Sequence, residues 1–230
     1  MEIRKAWIIV WLITICSPYI HSQIIEQPNY ALKSHETLVI SKVEITPEKT
    51  VLNMSVENRI AGGNFCADRN IFIVYPDGEK IRLKKASGIP VCPDNYKFKS
   101  IGEKLQFTLE FPPLKPEAKW IDIIEECESN CFWFYGITLD NDLNKKLDDA
   151  FILASKGKPA ENIVLFKTLL DSIDNQDLGI EGLLYINIII AASEGADDVN
   201  KIFWYKRFTS SHAPRLNSYL KYLNDKGIKY

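Results

Sequence analysis

The chain has 230 residues, of which 46% are hydrophobic and 25% charged, with a formal net charge of −2. That length holds one large domain or two small ones of ~100–200 residues. The near-zero charge gives no global case for nucleic acid or for an anionic membrane surface.

Glu2, Arg4 and Lys5 precede an apolar run from Ala6 to Cys16. The run is about half the ~20 residues of a membrane-spanning helix and has the length of a secretory signal core. Pro18 and Tyr19 break it, and the bond after Ser22 is the expected cut, although Ile20 is large for the upstream cleavage position. Residues 1–22 are therefore read as a signal peptide, and the mature chain as periplasmic, surface-bound or secreted. Two alternatives leave a membrane attachment: a retained anchor, or acylation at Cys16, which the bulky Ile15 opposes.

Residues 23–35 are read as a linker, and 36–140 as a β-sandwich. Leu38, Ile40, Val43 and Ile45 form the first predicted strand, with a bulge near Ser41-Lys42 shifting the phase. Val51, Leu52, Met54 and Val56 mark the second. Ile71, Ile73 and Tyr75 alternate in a third, and Pro76-Asp77-Gly78 turns it into Ile81 and Leu83. Leu105, Phe107, Leu109 and Phe111 give the cleanest alternation, ended by Pro112-Pro113. Trp120 to Ile124 and Phe132 to Leu139 supply two more strands. About seven short strands within ~100 residues argue for an immunoglobulin-like architecture.

Four cysteines follow the signal: Cys66, Cys92, Cys127 and Cys131. In an exported chain they read as two disulfides, with three connectivities open. Cys127 and Cys131 are close enough to staple one loop, which would leave Cys66 to pair with Cys92. A zinc site lacks the paired short spacings that four thiolates require, and no metal or other cofactor is expected.

From Asp142 the period becomes helical. Leu143, Leu147, Phe151 and Ala154 share one face, Gly157 and Pro159 separate that helix from Ile163, Phe166, Leu169 and Leu170, and a break spans Asp177 to Gly179. Leu183 to Ile190 is apolar on most sides and reads as a central helix. Asp197-Asp198 starts a fourth helix, and Pro214 opens a fifth, closed by Gly227. Helix starts recurring at ~35 residues per pair approach the period of helical-hairpin arrays. Residues 141–230 are thus expected to form a separate all-α, tetratricopeptide-like domain, with an ordinary helical bundle as the alternative.

The stretches Glu36-Thr37-Leu38-Val39-Ile40 and Leu105-Gln106-Phe107-Thr108-Leu109-Glu110-Phe111-Pro112-Pro113-Leu114 are similar to segments of uncharacterised exported bacterial proteins. So are Ile121-Asp122-Ile123-Ile124-Glu125 and Phe134-Tyr135-Gly136-Ile137-Thr138-Leu139. Those proteins, from anaerobic Gram-negative bacteria, place an immunoglobulin-like sandwich before other modules. The resemblance runs from Glu36 to Leu139. It implies the fold and a periplasmic or surface location, and implies no activity.

Catalytic motifs are sparse. Ser211 beside His212 invites a hydrolase reading, but a helix-capping loop before Pro214 explains the pair better. Glu125, Glu126 and Glu128 cluster beside the close cysteine pair, and Asp140 with Asp142 reads as a helix cap. Binding is the better-supported class, and the chain is expected not to be an enzyme. Alternation sets Phe132 and Phe134 on one face, and Trp133 and Tyr135 on the other, where they would pack between domains or grip a sugar or peptide. The helical half is polarised: Asp171 to Asp198 holds no Lys or Arg, whereas cations dominate from Lys201 onward. Trp204-Tyr205-Lys206-Arg207 joins aromatics to cations as a candidate peptide surface. The leading expectation is a protein or peptide partner, with carbohydrate as the alternative and nucleic acid disfavoured by export.

Overall fold

The computed structural model describes residues 22–173 and 179–229. The predicted signal, Cys16, and the acidic residues Asp174 and Asp177 lie outside the described residues. Twelve strands run in chain order: β1 (Gln23–Glu26), β2 (Leu32–Lys33), β3 (Leu38–Ile45), β4 (Thr50–Glu57), β5 (Asn64–Phe65) and β6 (Ile71–Val74). They continue with β7 (Lys80–Arg82), β8 (Lys85–Ser87), β9 (Tyr96–Lys97), β10 (Lys104–Phe111), β11 (Trp120–Glu125) and β12 (Trp133–Thr138). Five helices follow: α1 (Asn141–Ala154), α2 (Pro159–Ile173), α3 (Glu181–Glu194), α4 (Asp198–Thr209) and α5 (Leu216–Asp225).

Two five-stranded antiparallel sheets enclose one core. The first has the order β1-β3-β4-β10-β8, the second β2-β12-β11-β6-β7, and β5 pairs with β9 apart from both. The period of two drives this arrangement, because successive side chains of a strand point to opposite faces. In β4 and β10 every second residue is buried: Leu52, Met54 and Val56 face Leu105, Phe107 and Leu109 in the core, while Asn53, Ser55, Gln106 and Thr108 face outward. The predicted bulge occurs, since the β3–β4 register shifts between Ile40 and Lys42. It lets Leu38 and Ile40 before it, and Val43 after it, all point inward. The Pro76-Asp77-Gly78 turn connects β6 to β7 as a hairpin.

The stretch 23–35, expected to be a linker, instead supplies one strand to each sheet. β1 pairs with β3, and β2 pairs with β12 at Phe134 and Tyr135. Ile25 is fully buried, so this segment contributes to the core.

The helices build a second core cluster of their own and pack onto the second sheet. Ala31 and Leu32 belong to the helical core cluster, and Trp133 and Tyr135 pack against it. Covered on both faces, β11 loses the alternation of a half-exposed strand, with Trp120, Ile121, Asp122 and Ile123 all buried. Asn144 of α1 stitches the layers: its Oδ1 accepts the Asn29 backbone N–H at 2.6 Å, and its Nδ2 donates to the Thr138 carbonyl. Asp140 caps α1 by accepting from the backbone N–H groups of Asp142 and Leu143 at 2.8 and 2.9 Å. As expected, α3 is central, with Leu184, Ile188, Ile189 and Ala192 fully buried.

A second irregularity shapes the seam. In β12, Tyr135 and Gly136 bulge opposite Asp122, between the Ile121–Ile137 and Ile123–Phe134 pairs. Gly136 takes φ +61°, a left-handed conformation that costs a side-chain-bearing residue more than glycine. A Cβ there would also clash with the Gly179 carbonyl oxygen and lie 2.9 Å from the Ala31 Cβ.

Candidate functional site

A cleft with a volume of about 840 Å³ lies at the end of the sandwich opposite α1. Four chain segments meet there: His35 before β3, the loop from Ile60 to Asp68, the loop around Cys92 to Asn95, and the turn from Glu125 to Asn130. Both disulfides wall it. Cys66 pairs with Cys92 and Cys127 with Cys131, at Cα–Cα distances of 5.3 and 5.5 Å. These are the pairings that the short Cys127–Cys131 spacing favours, and they bond all four cysteines of the described residues. Among the described residues, no group of three His, Cys, Asp or Glu side chains is placed to hold a metal.

Glu125 organises the floor. It sits at the last position of β11 with 6% exposure. One carboxylate oxygen accepts the Asp68 N–H at 2.7 Å, and the other the Phe132 N–H at 2.9 Å. The side chain therefore ties the Cys66 loop to the start of β12. Burial pushes its carboxyl above the usual range, opposed by those two backbone donors.

His35 forms a side wall. Its Nδ1 lies 2.7 Å from the Ser34 hydroxyl, which also accepts the Trp133 backbone N–H at 2.9 Å. Burial lowers the pKa of His35, which favours the neutral ring at neutral pH. The ring meets Phe65 edge-on at 6.3 Å, and Phe65 in turn contacts Phe107 and Phe132 of the core.

The electrostatic character follows from the lining. Asp68, Glu125 and Glu128 contribute carboxylates, Asn64, Asn95 and Asn130 contribute amides, and no Lys or Arg lines the cleft. Ile60 adds an apolar rim with 66% exposure. Asn58, buried beneath it, holds the rim loop by donating from Nδ2 to the Ser100 carbonyl at 2.8 Å and from its backbone N–H to that of Glu103. Such a lining favours a ligand that brings its own cation and hydrogen-bond donors.

The residues predicted for binding lie elsewhere. Trp133 and Tyr135 stack on each other at 4.2 Å and are half-buried against the helical core, with the Arg215 guanidinium 4.9 Å from the Tyr135 ring. They are packing residues of the seam, the interdomain role expected as one alternative. Trp204 is corrected from surface to core: it is 2% exposed and touches Tyr185. Tyr205 is half-buried in the same cluster, and only Lys206 and Arg207 of that motif are exposed. No continuous aromatic groove runs through the four. Ser211 is a capping hydroxyl, donating to the Phe208 carbonyl at 2.7 Å and accepting from the Ala213 N–H.

Sequence reasoning missed the cleft as a unit, although it singled out Glu125 and Glu128 beside the close cysteine pair. The cysteines carried part of the signal, because the Cys66–Cys92 bond obliges the loops at 66 and 92 to meet, while Cys127–Cys131 only closes its own turn. Scans of the chain against protein-family models, curated proteins and solved structures each return no match.

Proposed function

We propose that this is an exported, non-enzymatic interaction protein of a bacterial cell envelope, whose end cleft receives a cationic stretch of a protein or peptide partner. The observation that carries the reading is the cleft of about 840 Å³, walled by two disulfides and lined by three carboxylates with no Lys or Arg. Disulfide walls suit an oxidising compartment. No helix among the described residues is long and apolar enough to cross a membrane.

The architecture supports a recognition module. Two antiparallel sheets of the orders β1-β3-β4-β10-β8 and β2-β12-β11-β6-β7 around one core support an immunoglobulin-like reading, in which loops gathered at one end form a binding surface. Successive packing of α2 on α3 and α3 on α4 favours a tetratricopeptide-like reading of the helical layer.

The test is a peptide array of basic, neutral and acidic sequences, probed with the mature chain and with its Glu128→Lys variant. Glu128 is exposed, so its replacement leaves the core untouched. Basic peptides should be retained, and the variant should bind them about tenfold more weakly. Retention independent of peptide charge, or indifferent to Glu128→Lys, would overturn the reading.

A further inference from the structure

The outer face of the first sheet carries a second feature, independent of the end cleft. The helices cover the other sheet, so this face is open to solvent. Its outward residues sort by position. The charged ones surround a central patch and largely neutralise one another: Lys104 pairs with Glu57 at 3.6 Å and Lys49 with Glu110 at 2.9 Å toward the strand ends, and Lys42, which stands opposite Asn53, pairs with Glu44 at 2.8 Å. Between them is an island of uncharged polar side chains: Ser41, Asn53, Ser55, Ser87, Gln106 and Thr108. Ser55 stands opposite Gln106, and Thr108 stands between Asn53 and Ser87. All six line one groove of about 420 Å³.

Two properties make this groove more than a wet sheet surface. The first is its edge. β8 leaves the sheet at Gly88, whose φ of +81° turns the chain away, and a Cβ there would lie 2.8 Å from the Gln106 carbonyl oxygen. The missing side chain lets the chain pass close against the β10 backbone at the edge of the groove. The second is unused hydrogen-bonding capacity. Ser41 donates to the Asn53 carbonyl and Asn53 to Glu44, but the side chains of Ser55, Ser87, Gln106 and Thr108 make no hydrogen bond within the described residues. Hydroxyl and amide groups on facing strands stand about 4.5–5.5 Å apart, and each both donates and accepts.

We propose that this groove binds an uncharged, polyhydroxylated ligand: a neutral oligosaccharide chain. A charged ligand would face ion pairs already satisfied around the groove and no charged side chain lining it. A peptide with apolar anchors would meet Val39, exposed opposite Ser55, at the edge of the island, and uncharged polar side chains across the rest of it. A neutral glycan matches an array of paired donors and acceptors, directly and through bridging water.

The experiment is an NMR titration of the 15N-labelled mature chain with maltoheptaose, xylohexaose, cellohexaose and mannohexaose, and with oligogalacturonate as the charged comparator. At least one neutral glycan should give saturable shifts at the amides of Ser55, Gly88, Gln106 and Thr108, with none at Asp68 or Glu125. The Gln106→Ala/Thr108→Ala double variant, checked for an unchanged near-ultraviolet dichroism spectrum, should bind about tenfold more weakly. Glu128→Lys should leave this binding unchanged, which separates its failure from that of the cleft. Three results would overturn the proposal: no saturable shift with any neutral glycan, shifts mapping to the cleft or to Trp133 and Tyr135, or tighter binding of oligogalacturonate.

Discussion

Arg215, the left-handed residue that leads into α5, donates through Nε at 3.0 Å and through Nη2 to the carboxylate of Asp122, which is 1% exposed in the middle of β11. The other Asp122 oxygen accepts the Gly136 N–H at 2.8 Å. One carboxylate therefore fastens the last helix to the bulge of β12. Replacing Arg215 with Ala strands that carboxylate in a buried site. The 38% exposure of Arg215 moderates the loss, and urea unfolding should report about 2–3 kcal/mol. Asp122→Asn should cost less, because the amide needs no counter-charge.

Burial holds both Asp122 and Glu125 above the usual carboxylate range, in Asp122 outweighing Arg215 and the Gly136 N–H. The folded chain thus binds these protons more tightly than the unfolded chain. Their contribution is fully present below the unfolded carboxylate value and is lost as pH rises through the raised folded value. Unfolding of wild type and Glu125→Gln, measured at pH 7 and at about pH 4.5, should show wild type gaining relative to the variant on acidification. A constant difference would mean that Glu125 is not titrating in that window.

The two disulfides differ in the chain they close. Cys66 and Cys92 are separated by 26 residues, and Cys127 and Cys131 by 4. Loop entropy assigns about 3–4 kcal/mol to the first and about 2 kcal/mol to the second. Paired Cys→Ser variants, compared by thermal unfolding, should follow that order, and both should weaken whatever the cleft binds.

Gly136 and Gly78 both take positive φ, yet differ in surroundings. Gly136 is hemmed in by Gly179 and Ala31, while a Cβ on Gly78 would meet nothing within 4 Å. Gly136→Ala should cost about 2–4 kcal/mol, and Gly78→Ala about 1 kcal/mol.

Trp204→Ala should cost about 3–5 kcal/mol, as large core truncations do, whereas Lys206→Ala should cost less than about 1 kcal/mol. A binding defect in the first would report damaged packing, and in the second a surface effect.

Much of the sandwich was legible because β4 and β10 carry an unbroken period of two, and because Pro76-Asp77-Gly78 dictates a hairpin. The strands β1 and β2 were not. They hold four and two residues, with Pro28 between them, and take their order from distant partners. In α4, Val199, Ile202, Phe203, Trp204 and Phe208 spread apolar groups around the helix, so periodicity could not choose the buried face. Packing chose it: Phe208 meets Tyr185 at 5.1 Å and Tyr219 at 5.8 Å, leaving Val199 80% exposed. The cleft was illegible as a whole because its walls come from segments some thirty to ninety residues apart, and no local pattern encodes that meeting.

The Asn29–Asn144 stitch, spanning 115 positions, also orders events in time. β2 has no strand partner until β12 is made, and the Asn29 side chain has none until α1 is made. Contacts so distant along the chain close late and slowly. Until β12 has been synthesised the second sheet stays open along the β2 edge, so a chain threaded N-terminus first through a narrow channel would not lock shut ahead of its own translocation.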